Sequence, residues 1–232
     1  MKRTRLLAIV AGGLAVAAVL VAVSLMTRGG HDRATTPRPV ADGGVSTLLR
    51  GIPQRGLALG SPRAPVTLVE YADLQCPYCG EWARGAFPDL VRRYVRSGQV
   101  RMVFRGLAFV GPDSVPAFRT TLVAGNQNRL WHVVEGLYRN QGAENTGWVT
   151  DDLMKHIGST APGLDVARML RERDSADVDA AVVAARNDAA RMGVTATPSF
   201  ALGYTGKPLR LVQVSSLDAQ GIVPAIDALL AQ

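Results

Sequence analysis

The chain holds two cysteines, and they stand three residues apart in Cys76-Pro77-Tyr78-Cys79. That pair limits the fold more than anything else in the sequence. Two cysteines rule out a framework of several disulfides. The histidines are His31, His132 and His156, and none has metal-motif spacing to the cysteines, which argues against a four-ligand zinc site as well. The local context then decides how to read the pair. Val66–Ala72 is a short apolar run with β-branched and aromatic residues, bounded by Pro65 and Asp73, and predicts a buried strand. Pro77–Arg96 carries Trp82, Ala86, Leu90 and Tyr94 at steps of four and predicts a helix, with a kink expected at Pro88. A strand that runs into Cys-x-x-Cys and then a helix is the setting of a thiol redox centre. The bland alternatives are a passive disulfide and an incomplete metal site.

The chemistry expected of the pair follows from its place. Spacing of three puts both sulfurs on one face of the first helical turn. Cys76 falls at the helix N-terminus, where unpaired N–H groups and the helix dipole favour a thiolate. Pro77, at the first helical position, loses no hydrogen bond the helix needs. Cys76 is therefore expected to be the exposed thiol that attacks or is attacked, and Cys79 the buried thiol that resolves a mixed disulfide.

Location comes from the N-terminus. Residues 1–5 are basic, and Leu6–Met26 is a run of 21 residues without a charge. At about 1.5 Å per residue it reaches roughly 30 Å, one hydrocarbon core. The basic flank predicts a cytoplasmic N-terminus and an exported remainder. A cleaved signal sequence is the rival, with a small-x-small site at Ala22-Val23-Ser24 inside the apolar run. Either way the cysteines reach a compartment where disulfides persist. The formal net charge of +7 does not argue for nucleic acid: residues 1–30 contain Lys2, Arg3, Arg5 and Arg28 and no acid, and the rest mixes both signs without basic–aromatic runs.

Residues 27–58 are rich in Gly and Pro and read as a linker followed by an arm lying on the domain. Gln99–Phe104 predicts a second strand. Helical patterns then run over Ser114–Ala124, Arg129–Asn140, Asp151–Ile157, Asp165–Arg171 and Ser175–Met192, with N-caps expected at Thr150-Asp151 and Asp174-Ser175. Pro198–Leu202 and Leu209–Val214 return to strand character, and Ser216–Ala231 predicts one closing amphipathic helix. This order gives an α/β sheet layered with helices and interrupted by a helical insertion. Trp82, Trp131, Trp148, His132 and His156 are expected to be packing residues.

The segment Leu68-Val69-Glu70-Tyr71-Ala72-Asp73-Leu74-Gln75-Cys76-Pro77-Tyr78-Cys79 resembles the active-site segment of the DsbA-like branch of the thioredoxin superfamily. Gly193-Val194-Thr195-Ala196-Thr197-Pro198-Ser199-Phe200 is similar to that family's cis-proline loop. The resemblance implies a thioredoxin-like domain over 59–232 with a helical insertion at about 113–192; the apolar run adds one transmembrane helix at 6–26 ahead of it. It implies that Pro198 is cis and that Thr197 pairs with an extended substrate. It also implies that Glu70 is a buried acid serving Cys79; a solvent-facing strand glutamate is the alternative. Asp73 is expected to be a turn or cap residue.

In that family Pro77 and Tyr78 tune the redox pair and face the substrate, and a histidine usually stands where Tyr78 does. The activity implied is a protein disulfide oxidoreductase with no cofactor and no metal. Its expected partners are exported thiol-containing proteins and a membrane redox protein, and a tethered monomer is expected. Oxidase is the first reading; a tethered reductase or isomerase and a non-catalytic binding module remain open.

Overall fold

The computed structural model of the chain describes residues 44–232. The apolar run Leu6–Met26, read as a membrane anchor or signal, and the linker up to residue 43 lie outside the described residues. Among the described residues no helix is long and apolar enough to cross a membrane.

One six-stranded sheet organises the rest. Its strands are β1 (Gln54–Arg55), β2 (Ala58–Leu59), β3 (Val66–Asp73), β4 (Val100–Leu107), β5 (Ser199–Tyr204) and β6 (Arg210–Val212), in the spatial order β1-β2-β4-β3-β5-β6. β3 is buried at all eight positions because it has a neighbour on each edge and helices on both faces. It runs parallel to β4 and antiparallel to β5, with Glu70 in register with Phe104 and Phe200. Alternation splits its side chains. Leu68 and Ala72 join the larger core with Trp82, Trp131 and Leu137; Val69 and Tyr71 join a smaller one with Ala189 and Val194. Glu70 therefore points toward the larger core.

A parallel pair needs a crossover, and α2 (Pro77–Leu90) supplies it. A one-turn helix, α1 (Val45–Leu48), precedes it in the chain. The disturbance expected at Pro88 is not a break. α2 runs through Pro88, which cannot donate to Arg84, and then opens into a wider turn at Val91–Val95 with bonds such as Arg96 N–H to the Val91 carbonyl, 2.9 Å.

The insertion between β4 and β5 comprises α3 (Ser114–Asn126), α4 (Leu130–Arg139), α5 (Asp151–Thr160), α6 (Val166–Glu172) and α7 (Ala176–Met192). The Thr150 hydroxyl caps α5 by accepting from Leu153 N–H at 3.2 Å, and Asp165 caps α6 through Arg168 N–H at 2.9 Å. Ser175 stands at the N-cap of α7 but makes no side-chain capping bond. α4 is buried at every position from Leu130 to Tyr138, charged residues included.

Two segments differ from their expectation. The arm before β3 does not merely lie on the domain. Val45, Leu49 and Ile52 enter the main core, and β1 and β2 form a hairpin that extends the sheet beyond β4. The closing helix is also shorter than its pattern. A 3₁₀ turn at Ala219–Gly221 comes first, and α8 spans Val223–Leu230. Pro224 sits in the first turn of α8, where a missing N–H costs nothing, and so sets the start of the helix.

Candidate active site

The site is built at the C-terminal end of β3, where the strand turns into α2. Asp73 fixes that turn. Its Oδ1 accepts from Gln75 N–H (2.8 Å) and the Ser114 hydroxyl (2.7 Å); its Oδ2 accepts from the N–H groups of Phe109 (2.7 Å) and Val110 (2.9 Å). One carboxylate thus ties together the turn, the loop after β4 and the start of α3. The sequence reading placed Asp73 at a turn, but its reach to three other elements had no local signal.

Gln75 and Gln141, which the sequence did not single out, complete the frame. The Gln75 amide donates to Ser114 Oγ (2.9 Å) and Asn145 Oδ1 (3.0 Å). The Gln141 amide donates to the carbonyls of Leu74 and Cys76, both at 3.0 Å. The close approach of Gln141 requires Gly80, because a Cβ there would collide with Gln141 Oε1.

Cys76 occupies the N-cap of α2 and Pro77 its first position. Both cysteines are free thiols. Cys76 was expected to be exposed. It is the more accessible of the two, yet only 5% of its surface reaches solvent, against 0% for Cys79. The cover comes from the loop before β5: Cys76 Sγ lies 3.3 Å from the Thr197 carbonyl oxygen. The Thr197–Pro198 peptide bond is cis. Tyr78, at 61% exposure, faces solvent beside the thiols. The structure thus brings Cys76, Cys79, Thr197 and Pro198 together at one end of the sheet, with Pro77 and Tyr78 on its rim and Glu70 inside.

The two sulfurs differ electrostatically. The Cys76 thiol is held down at about 6. The Cys79 thiol donates to it first; burial opposes; the Thr197 hydroxyl and the N–H groups of Cys79 and Tyr78 add to the effect. Thr197 therefore serves both forms of Cys76, since its carbonyl can only accept from the thiol while its hydroxyl can donate to the thiolate. Burial, then the neighbouring Cys76, pushes Cys79 well above its ordinary value.

Glu70 is 2% exposed, so the solvent-facing alternative for it does not hold. Burial raises its carboxyl to about 8, opposed by the Trp82 indole. A second acid, Glu135 on α4, is equally buried. Burial and the proximity of Glu70 push it well up, with Arg139 and Arg84 opposing. The sequence reading missed it. The α4 segment is amphipathic, with His132, Glu135 and Arg139 on one stripe, so no local signal marks that stripe as buried. Tyr138 links α4 to the site through its hydroxyl to the Asp73 carbonyl (3.3 Å), and its own carbonyl accepts from Arg84 (2.7 Å).

Among the described residues no group of three or more His, Cys, Asp or Glu side chains is placed to hold a metal ion. A thiol pair can carry two electrons by itself, through thiol–disulfide exchange.

Comparison with known proteins agrees with this geometry. A protein-family model described as Thioredoxin matches residues 54–206. The chain is 29% identical over 145 residues to the probable disulfide bond formation protein D of Bacillus cereus, covering 61% of this chain and 67% of that protein. In structure it is similar to oxidised BdbD from Bacillus subtilis (TM-score 0.66, 22% identity, 78% of this chain and 98% of that one). It is also similar to α-DsbA1 of Wolbachia pipientis (TM-score 0.65, 18% identity, 83% and 96%).

Proposed function

The chain belongs to the thioredoxin family, and from that premise we propose that it is an extracytoplasmic oxidase that passes a Cys76–Cys79 disulfide to exported proteins. The coarser statement holds without the proposal: it is a protein disulfide oxidoreductase of the DsbA-like branch. What supports the direction is the likeness to disulfide bond formation protein D, together with the place of Cys76 at the N-cap of α2, where its thiolate is favoured. A stabilised thiolate favours the reduced form of the pair, so the disulfide is readily given away. This stabilisation comes from Cys79, Thr197 and backbone donors. It therefore survives the replacement of the family's usual histidine by Tyr78.

The exchange runs in two displacements. A client thiolate attacks Cys76 Sγ, the Cys76–Cys79 bond breaks, and its electron pair goes to Cys79. Glu70, still protonated near neutral pH, gives Cys79 its proton. A second client thiolate then attacks the client sulfur of the mixed disulfide and Cys76 leaves as thiolate. Two electrons pass from client to chain. Thr197 pairs with the extended client backbone, Pro198 holds that loop against Cys76, and Pro77 and Tyr78 meet the client.

Residues 1–5 stay in the cytoplasm, 6–26 anchor the chain and the stretch that follows tethers it, while the catalytic domain takes in the arm from Val45 together with 59–232 and its insertion at about 113–192. A membrane redox partner, quinone-linked, restores the disulfide.

The test is the reduction potential of the Cys76–Cys79 pair in the full chain, equilibrated with glutathione buffers. The oxidase reading expects a value toward about −120 mV; a value toward about −270 mV makes the chain a reductase instead. Replacing Cys76 with Ser separates catalysis from binding: function retained by C76S would overturn the enzymatic reading.

A further inference from the structure

Among the described residues, seven buried side-chain polar atoms have no hydrogen-bond partner, and Glu70 Oε1, Trp82 Nε1, Glu135 Oε2 and Arg139 Nε are four of them. The Trp82 indole lies near enough to Glu70 to favour its charged form, yet outside bonding geometry. A partnerless buried polar atom costs on the order of 1–3 kcal/mol, so several held in one layer call for a reason. Their placement is coherent. Glu70 points from β3 into the layer that contains Trp82, and Trp82 packs on Phe200, the β5 residue in register with Glu70, at 4.1 Å between ring centroids. Glu135 lies on α4 one turn before Tyr138, so it shares the helix face that bonds Asp73 at the end of β3. One turn further on, Arg139 lines an open cavity of about 580 Å³ together with Arg84, Arg92 and Arg96. Polar groups thus lie at Glu70 on β3, at Glu135 and Arg139 on α4, and at the cavity that Arg139 lines.

We propose that Glu135 is the second carboxyl of a buried proton relay, which resupplies Glu70 from the arginine-lined cavity while Cys79 is being protonated. The inference rests on the disulfide-exchange reading but not on its direction. In the reducing half-reaction the Cys79 thiolate takes a proton from Glu70, and Glu70 takes one from Glu135, through water bound by the unpartnered atoms. Glu135 is reprotonated from solvent in the cavity. The reverse half-reaction runs the same protons outward. Electrons move only between sulfurs. Glu135 never meets the reacting atoms, so it is a positioning residue for the proton. The groups facing it are Glu70 across the core, Arg84 from α2, and Tyr138 and Arg139 on its own helix. Arg139 and Arg84 oppose the upward push that burial and Glu70 give it.

The test uses the full chain with ¹³C-carboxyl-labelled glutamate and follows both interior carboxyls by NMR. In the wild type two coupled titrations above the ordinary range are expected; a single one overturns the proposal, whether or not any variant folds. In E135Q the Glu70 midpoint should fall by about one unit as its like-charged neighbour goes. Reduction of the disulfide by dithiothreitol should slow about tenfold, a modest share of general acid–base catalysis. E135D should restore part of the rate, and E135Q should add nothing in an E70Q background. An unmoved Glu70 midpoint, or equal slowing in that background, assigns Glu135 to packing alone. A chain inert toward dithiothreitol even as wild type breaks the exchange reading itself, which is a distinct result.

Discussion

Asp73 closes β3, and Glu70 stands three residues earlier on the same strand; they are 0% and 2% exposed. Asp73 meets four donors, two on each oxygen, from Gln75, Ser114, Phe109 and Val110. Glu70 has an oxygen with no partner, and its carboxyl rises to about 8. Burial is common to both, so burial does not decide how the chain uses an acid. Donors do. At the strand end the backbone turns and offers free N–H groups. In the strand middle the ladder to β4 and β5 has consumed them. The first acid is a structural bolt and the second a proton store.

The largest effect that tests this contrast is Asp73→Ala. Four buried donors lose their acceptor, and about 4–5 kcal/mol of stability should go at pH 7, read by denaturant titration. A loss under about 1 kcal/mol would erase the distinction between the two acids.

Next comes Glu70→Gln, with the opposite sign. The folded pKa of about 8 lies above the ordinary 4.5, so the native state binds more protons between those values. Stability therefore falls as pH rises through that window, and the penalty is complete above about 8. E70Q should gain about 4–5 kcal/mol over the wild type at pH 9 and nothing near pH 4. Equal effects at both pH values would mean that Glu70 is not the store.

The sulfurs repeat the contrast on a smaller scale. Thiolate absorbance near 240 nm should titrate at about 6 for Cys76. The reduced form gains stability from this between about 6 and 9 and loses it as pH falls through 6. Cys79→Ala removes the first of its donors and should raise the midpoint by about one unit. The smallest effect belongs to Gln141→Ala, about 1 kcal/mol, with Gly80→Ala costing less in that background than alone because the colliding Oε1 is gone.

Much of this was legible from the sequence, and for a physical reason. β3, α2 and the helical insertion carry their periodicity within a dozen residues, and Cys76-Pro77-Tyr78-Cys79 sits at a junction that local pattern defines. What was hidden depends on distance along the chain. Gln75 finds Ser114 39 residues on and Asn145 70 residues on; Gln141 reaches back 67 residues to Leu74. A polar side chain of that kind looks like surface until its partner is known. β1 and β2, two residues each, are too short to show alternation. Glu135 looked like the wet side of an amphipathic helix, because nothing local says that α4 is enclosed on every side.

The ends of the sheet have a bearing on colloidal behaviour. The outermost strands are β1, two residues, and β6, three residues. A sheet edge is a row of unsatisfied amides that can template another chain, and its capacity grows with its length. A protein that exchanges disulfides with other proteins can meet exposed, β-prone segments. With stubs at both borders, an arriving β-prone segment finds little outer strand to extend.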